Sequence, residues 1–509
     1  MSDAIDTSIN TPPSAEISAE ISAEMSHEMS SSAPPRPTAA PPRPYHFPVF
    51  ETRILANGLR VIVSPVPAYP VVTILAVVEA GATRDPRDAE GLAQMTTRAL
   101  AEGTRDMNAL ELAERLETLG TTLDTGADWD SAIVQLTSLA SRVEDALAVL
   151  AEVLRFPAFP DDELDRLRAE RLADLAQLRA EPRGLADVFF SRLLYVPESR
   201  FARLAGGDEQ SIEHITRERT QAYHAEYYRP NSTALVVVGD IPVDDAVRHA
   251  TKYFGDWGGT APDVTEPLDV ARYREPRVHI IDKADAPQSE LRVGHVAVPR
   301  LHEDYFPLVV MNAILGGLFS SRLNLNLREV HAYTYGAHSA FDWRRAASPF
   351  EISTAVETAV TADALKEIQI EFNRIREAPV TDAELSLATD YLVGVFPIRF
   401  ETTAEVAGGL ANVEIFRLAS NYFDNYRDRV RAVTAADVLR VAQRHLDPSR
   451  LQVVVVGDAA VIRGPLAELG LGPVTVYDPA DADAPKDGMP QGDLPIVVLS
   501  QASSSSSAS

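Results

Sequence analysis

The chain reads Pro230-Asn231-Ser232-Thr233-Ala234-Leu235-Val236-Val237-Val238-Gly239-Asp240, and 218 residues later it reads Pro448-Ser449-Arg450-Leu451-Gln452-Val453-Val454-Val455-Val456-Gly457-Asp458. Each stretch is a β-rich apolar run that ends in Gly-Asp. At the same offset Ile215-Thr216 matches Val433-Thr434, where each threonine is placed as the N-cap of a helix-like run. Several matches at one offset indicate an internal duplication, so the sequence predicts two homologous halves.

The duplication sets the expected domain boundaries. We predict an N-terminal domain over residues 45–262, a Pro-containing linker over 263–276, and a C-terminal domain over 277–480. A chain of 509 residues is too long for a single hydrophobic core, in agreement with this division.

The two ends of the chain have a different composition. Residues 1–44 repeat Ala-Glu-Ile-Ser and then become Pro-rich, while residues 481–509 end in a run of serines. Such segments bury too little apolar surface to offset the entropy of ordering them, and we predict two flexible tails. Within the second tail, Ile496-Val497-Val498-Leu499 could still dock as a short strand.

The order of apolar patterns in the first half predicts the fold class. Leu59–Val63 and Val71–Val78 are β-rich runs, and helical patterns follow at Ala109–Leu119, Val143–Leu154 and Leu164–Ala180. Strands, then helices, then a closing strand predict an α+β fold, with a mainly antiparallel sheet and helices on one face. The duplication predicts the same arrangement in the second half.

Composition excludes several functions. The formal charge is −27 and the isoelectric point about 4.8, which argues against nucleic-acid binding because phosphates are bound by clustered Lys and Arg. The absence of cysteine excludes disulfides and Cys-ligated metals. The N-terminus has no signal-peptide pattern, and we read no continuous apolar run of membrane-spanning length. We therefore expect a cytoplasmic protein without a membrane partner.

A second decisive segment is Gly91-Leu92-Ala93-Gln94-Met95-Thr96-Thr97-Arg98, between Gly81-Ala82-Thr83-Arg84-Asp85 and Ala101-Glu102-Gly103-Thr104. This frame resembles the zinc-site segment of the pitrilysin/insulinase-like metallopeptidases, the family of the mitochondrial processing peptidase. The resemblance covers roughly residues 48 to 478 and implies two tandem α/β-roll domains. In that family the helix carries His-x-x-Glu-His.

Here the three motif positions read Gln94, Thr97 and Arg98. An amide is a weak zinc ligand, a threonine cannot act as a carboxylate base, and an arginine places a cation where a ligand should donate a lone pair. The resemblance places the family's third ligand, a glutamate, at Asp174, whose shorter side chain would reach poorly. We therefore predict no metal and no catalytic residue on this chain.

Two further readings concern these positions. Arg98 could form an ion pair with Asp174 where the family holds its metal, or it could extend to water. No His-x-x-x-His pair occurs elsewhere in the sequence. His331 and His338, seven residues apart, could share a helical face, or they are one exposed and one partly buried histidine in a loop and a strand.

A motif of the second half is retained. Gly316-Gly317-Leu318-Phe319-Ser320-Ser321-Arg322-Leu323 and Leu327-Arg328-Glu329-Val330-His331-Ala332-Tyr333-Thr334-Tyr335-Gly336 resemble the family's Gly-rich turn and its Arg-Glu…Tyr-Gly element. The resemblance implies that Arg328 and Tyr335 bind substrate, since a guanidinium and a phenol can both donate to a peptide carbonyl. The alternatives are an Arg328 paired with a carboxylate and a half-buried Tyr335 in a strand. His331-Ala332-Tyr333 replaces the usual basic-Gly-Leu step.

The segment Leu119-Gly120-Thr121-Thr122-Leu123-Asp124-Thr125 resembles the strand along which family members bind extended substrate. An ordinary edge strand would have the same residues.

These features together favour a non-catalytic, substrate-binding subunit of a heteromeric zinc-dependent peptidase. The expected partners are a peptide substrate and a homologous chain with an intact zinc motif, and zinc is expected only on that partner. The alternatives are a structural or assembly subunit without peptide turnover, and an autonomous metalloendopeptidase with unorthodox ligands.

Overall fold

The computed structural model describes residues 43–263 and 270–482. The described residues from Tyr45 onward form one compact unit. Nearly all of the N-terminal tail, part of the expected linker, and nearly all of the C-terminal tail, including its Ile496–Leu499 run, lie outside the described residues. The domain bounds drawn from the duplication stay a prediction.

The first half contains a six-stranded sheet. Its strands, in chain order, are β1 (Glu51–Ile54), β2 (Arg60–Pro65), β3 (Val71–Val78), β4 (Asp124–Ala127), β5 (Ala132–Leu139) and β6 (Thr233–Gly239). Their order across the sheet is β1-β2-β6-β3-β5-β4. Only β2 and β6 pair in parallel, so the sheet is mainly antiparallel, as the sequence predicted.

The second half repeats this sheet. Its strands are β7 (Arg277–Asp282), β8 (Gln288–Val296), β9 (Ala337–Phe341), β10 (Pro349–Glu357), β11 (Gln452–Gly457) and β12 (Val474–Tyr477). They are ordered β12-β7-β11-β8-β10-β9. The repeated Gly-Asp runs form β6 and β11, which hold the same place in the two sheets. The edge strands differ, because β12 pairs in parallel with β7 whereas β1 is antiparallel to β2.

Helices connect and cover the strands. Those of the first half are α1 (Leu92–Ala99), α2 (Ala109–Leu119), α3 (Val143–Arg155), α4 (Asp161–Ala180), α5 (Pro182–Leu194), α6 (Glu209–Glu213), α7 (Arg217–Tyr227) and α8 (Val243–Phe254). Those of the second half are α9 (Tyr305–Asn312), α10 (Arg322–Asn324), α11 (Thr361–Glu377), α12 (Asp382–Val395), α13 (Thr403–Ile415), α14 (Tyr422–Arg431), α15 (Ala435–His445) and α16 (Ala459–Glu468). π-Helical segments flank α10 at Ala313–Gly317 and Leu325–Val330. The predicted threonine N-caps Thr216 and Thr434 accept hydrogen bonds at the starts of α7 and α15.

Two helices are exchanged between the halves. Helix α5 of the first half packs on β8 and β11 of the second sheet, and α13 of the second half packs on β3 and β6 of the first. Each sheet is therefore covered by its own helices on one face and by a borrowed helix on the other. This explains why the central strands are apolar on both faces rather than alternating.

Strand β3 illustrates the consequence of this exchange. Ile74 and Ala76 belong to the core of the first half, whereas Leu75 and Val77 belong to the core that contains Leu410 of α13. All four of these β3 side chains are buried, because successive residues of a strand point to opposite faces. The helices predicted on one face are present, and the exchange adds the second layer.

The segment Tyr305–Val330 is long and apolar enough to cross a membrane by length and composition alone, although 61% of its most apolar window is buried within the protein. Leu308, Val310 and Leu315 from this segment are fully buried in the core of the second half. A buried core helix meets the same criterion of length and apolar composition.

Candidate functional site

Helix α1 carries the positions of the lost zinc motif, and a buried aspartate fixes its start. Asp85 accepts hydrogen bonds from the backbone N–H groups of Gly91 and Ala93, each at 2.8 Å. These are donors that the first turn of a helix leaves without an internal partner. Gly91 precedes the helix with φ of +94°, a conformation that favours glycine. Sequence reasoning missed Asp85, because its partners are backbone groups six and eight residues further on.

Gln94 and Thr97 both make specific hydrogen bonds. The Gln94 Nε2 donates to the carbonyl of Ala127, the last residue of β4, at 3.1 Å. The Thr97 hydroxyl donates to the Ala93 carbonyl and lies 2.8 Å from the Tyr228 hydroxyl. Tyr228 is fully buried, so Thr97 ties α1 to the end of α7. Gln94, at the position of a zinc ligand of the family, and Thr97, at the position of its catalytic base, are thus both hydrogen-bonded within the protein.

The structure corrects the hypothesis for Arg98. Its Nη2 lies 2.8 Å from Oε2 of Glu170 on α4, not from Asp174, which is exposed and has no ion pair with Arg98 in the described structure. Glu170 lies one turn before Asp174 on the same helix face, and its longer side chain reaches α1. The Arg98 side chain is still 39% exposed, so the ion pair with Glu170 is a surface contact. This exposure agrees in part with the alternative hypothesis that Arg98 extends to water.

We expect Asp174→Ala to change the free energy of unfolding by less than about 0.5 kcal/mol and Glu170→Ala to lower it by at most about 1 kcal/mol, because exposed ion pairs contribute little. Urea denaturation of both variants and the parent measures this. A loss clearly above 1 kcal/mol for Asp174→Ala would restore the original pairing hypothesis.

The described residues include one cluster that resembles a metal site, formed by His302, Asp304 and His445. His445 Nε2 and Arg440 Nη1 each lie 2.7 Å from an oxygen of Asp304, and Arg444 lies 3.2 Å away. Burial alone would raise the pKa of Asp304, but the hydrogen bonds from His445 and Arg440 outweigh it and lower the pKa. With two guanidiniums on one carboxylate, the cluster is better suited to anchoring α15 beside α9 than to binding a cation.

Strand β4 forms the free edge of the first sheet. It pairs with β5, and in the described structure no other strand pairs with it. A cavity of about 370 Å³ lies along it, lined by Asp124, Gly126, Ile133 and Gln135 among others. These four residues share the face opposite α1, since they occupy alternate paired positions.

The segment expected to form this strand begins earlier than the strand itself. Leu119 is the last residue of α2, and Gly120 caps that helix with φ of +69°. A glycine that ends a helix in this way is common, and it shortens the strand to Asp124–Ala127.

Arg328 and Tyr335 lie on the segment between α10 and β9. The Arg328 guanidinium stacks over the Phe319 ring at 4.4 Å and lies 3.7 Å from a carboxylate oxygen of Glu329. Tyr335, in the loop before β9, is 95% exposed. The half-buried strand tyrosine considered as an alternative is therefore wrong, whereas Arg328 does have a nearby carboxylate.

The backbone around this pair is unusual in two places. Gly316 lies within the π-helical segment Ala313–Gly317 rather than in a tight turn. A Cβ placed on Gly316 would lie 2.5 Å from the Ser339 hydroxyl of β9. The glycine is needed for this close approach. Ala332, where the resemblance expects glycine, has φ of +54°. Ala332 thus has a left-handed conformation that glycine would adopt more easily.

His331 and His338 do not share a helical face. His331 is partly buried after the π-helical segment, where its ring stacks on Tyr333 with centroids 5.0 Å apart. His338 is exposed in β9. This agrees with the second hypothesis, that they are one partly buried and one exposed histidine in a loop and a strand.

Comparison with known proteins agrees with this geometry. The model of the insulinase family (peptidase family M16) matches residues 60–194, and the model described as the peptidase M16 inactive domain matches residues 214–392. Together these matches cover more than half of the chain. The chain belongs to the insulinase-like M16 peptidase family.

Three similar proteins place the chain within this family. A Mycobacterium tuberculosis protein called an uncharacterized zinc protease is 24% identical over 79% of this chain and 92% of its own length. A Helicobacter pylori protein called a non-peptidase homolog is 23% identical over 74% of this chain and 87% of its own. The crystal structure of a peptidase M16 inactive domain from Pseudomonas fluorescens has a TM-score of 0.75 at 26% identity, covering 80% of this chain and 98% of that one. With Gln94, Thr97 and Arg98 at the motif positions, our chain is a member of the M16 family without the His-x-x-Glu-His sequence.

Proposed function

We propose that this chain is the substrate-binding subunit of a heteromeric zinc-dependent peptidase, and that it holds extended peptides for hydrolysis by a zinc-bearing chain of the same family. The zinc is on the partner, and the complex acts in the cytoplasm. The loss of function in this chain is selective, because the zinc-motif positions have other bonding partners while the substrate-binding motif remains.

The observation that carries the proposal is the exposure of Tyr335. A tyrosine that is 95% exposed contributes little to the stability of the fold, yet it lies where the family has a substrate-binding tyrosine. Arg328, seven residues earlier, is also partly exposed and has donors left beyond its contact with Glu329. Both side chains can donate to a peptide carbonyl and stabilise the negative charge that develops on it.

The free edge of β4 supplies the second element of binding. An extended peptide that adds to a sheet edge gains backbone hydrogen bonds without a requirement for a particular sequence. The cavity beside β4 gives room for side chains that point to one face. Peptide binding by this chain would then be broad in sequence and dependent on an extended backbone.

Binding to the edge is tested first on the isolated chain. The probes are fluorescent peptides of alternating Thr and Lys, three to eight residues long, and matched peptides with alternate amides N-methylated. N-methylation removes the donors that pair with an edge and keeps the side chains. We expect the methylated octapeptide to bind at least about tenfold more weakly, since several backbone hydrogen bonds are lost. Equal affinity of the two octapeptides would refute binding by strand addition.

The role in turnover is tested with the partner. The chain is mixed with a homologue from the same genome that has an intact His-x-x-Glu-His motif, and cleavage of a fluorogenic peptide is followed. We expect activity only in the mixture, and Arg328→Ala to reduce kcat/KM about tenfold to 100-fold, because a charged hydrogen bond to the substrate is lost. The matched control is Arg248→Ala, an exposed arginine on α8.

Two results would replace the proposal. Unchanged turnover with Arg328→Ala would favour a structural or assembly subunit. Stoichiometric zinc in the purified chain, measured by elemental analysis, together with peptidase activity in the absence of a partner, would favour an autonomous peptidase.

A further inference from the structure

The outward-facing backbone groups of β4 can be assigned from its hairpin. Asp128 N–H donates to the Ser131 carbonyl at 2.9 Å, so residues 128 and 131 form a hydrogen-bonded pair. Hydrogen-bonded and non-hydrogen-bonded pairs alternate along an antiparallel ladder, so the backbones of the next pair, Ala127 and Ala132, do not bond to each other. The N–H and C=O groups of Ala127, and of Thr125 two residues before it, therefore face the open edge.

One of these four groups is already used. The Ala127 carbonyl accepts the hydrogen bond from Gln94 Nε2, where an added strand would otherwise donate its own N–H. The contact is consistent with the outward direction inferred from the ladder. Gln94 thus occupies a strand-pairing position at one end of the edge.

The surroundings of Gln94 hold it there. A Cβ placed on Gly206 would lie 2.6 Å from Gln94 Oε1, so the amide oxygen packs directly against that glycine. Arg171 fixes Gly206 in turn, since its Nε donates to the Gly206 carbonyl at 2.9 Å. The amide is enclosed between this backbone on one side and β4 on the other.

We propose that Gln94 caps the peptide-receiving edge: it limits strand addition to the groups before the Ala127 carbonyl and so determines where a bound peptide stops. This inference rests on the proposed function, because it assumes that a peptide adds to β4. It gives the residue at the former first-ligand position a role in specificity.

The test measures the affinity of the Thr–Lys peptide series for the wild-type chain and for Gln94→Met, which keeps the volume of the side chain and removes the donor. We expect equal affinity for tripeptides, which pair around Thr125 only. Peptides of six or more residues should bind Gln94→Met about three- to tenfold more tightly, since they gain a bond to the freed Ala127 carbonyl. Gln94→Ala, with a smaller side chain, should show the same gain in affinity for the longer peptides as Gln94→Met.

Thr97→Val is the matched control, because it removes hydrogen bonds of the same helix that go to Ala93 and Tyr228 rather than to β4. It should lower stability without changing the dependence of affinity on peptide length. Hydrogen exchange of the Thr125 and Ala127 amides with bound octapeptide reports where pairing occurs.

The outcomes separate the two proposals. If the wild-type chain binds normal peptides in preference to N-methylated ones, yet both Gln94 variants show the wild-type length dependence, the cap is refuted and the proposed function stands. If the variants bind more weakly at every length, Gln94 supports the edge rather than limiting it, and the cap is again refuted. If no preference for normal peptides exists, the strand-addition part of the proposed function fails, and the cap fails with it.

Discussion

Phe190→Ala should lower the free energy of unfolding by about 3–5 kcal/mol, the usual cost of removing a fully buried aromatic ring. Phe190 lies on the exchanged helix α5 and is 2% exposed. Its ring packs on the second sheet at Gly294, where an added Cβ would lie 2.9 Å from the ring edge. Truncation leaves a cavity between two halves that cannot easily collapse. Equilibrium unfolding in urea, followed by circular dichroism, measures the loss.

The matched control for this variant is Phe319→Ala, since Phe319 is 71% exposed. It should lose no more than about 1 kcal/mol, because little apolar surface is returned to water. Comparable losses for the two variants would mean that α5 is not an integral layer of the second sheet.

Asp85→Ala is expected to cost about 2–5 kcal/mol. The substitution leaves two buried backbone N–H groups at the start of α1 without an acceptor, and each such group costs about 1–3 kcal/mol. Asp174→Ala, an exposed aspartate on α4, is the control and should be nearly neutral. Thermal and urea unfolding of both variants decide the comparison, and a neutral Asp85→Ala would show that α1 does not depend on this cap.

Asp85 also makes a prediction for pH. Burial raises the pKa of its carboxyl to about 8, against the lowering effect of the bonds from Ala93 and Gly91. The folded protein therefore binds a proton more tightly than the unfolded chain, and this contribution to stability is full below about pH 4 and is lost as the pH rises to about 8. The stability of the wild type relative to Asp85→Asn, which does not titrate, should fall across that interval. A constant difference between the two would contradict the raised pKa.

Local patterns were sufficient for the elements and for the duplication. Strand β3 and helix α2 begin and end where their apolar patterns indicated, and the repeated Gly-Asp runs are equivalent strands. The exchange of α5 and α13 was not predictable in this way. An apolar strand shows that both faces are buried, but it does not show which helix covers the second face.

For the candidate site, too, some features could be predicted from the sequence and others depend on how distant segments pack together. The replacement of the zinc motif and the retained Arg328 and Tyr335 are visible in the sequence. The partner of Arg98 was not, because Glu170 and Asp174 lie one turn apart on one helix face and only the packing of α4 against α1 selects between them. The bond from Gln94 to Ala127 likewise depends on a contact across 33 residues.

The exchanged helices have a consequence for synthesis of the chain. Strand β6 completes the first sheet at Gly239, but the helix that covers its outer face begins only at Thr403, about 160 residues later. At a translation rate of about 5–20 residues per second, the apolar face of that sheet stays without its cover for roughly 8 to 30 s. During this interval the nascent chain displays a surface prone to aggregation, so its yield in the cell should depend on chaperones that bind before the second half has emerged from the ribosome.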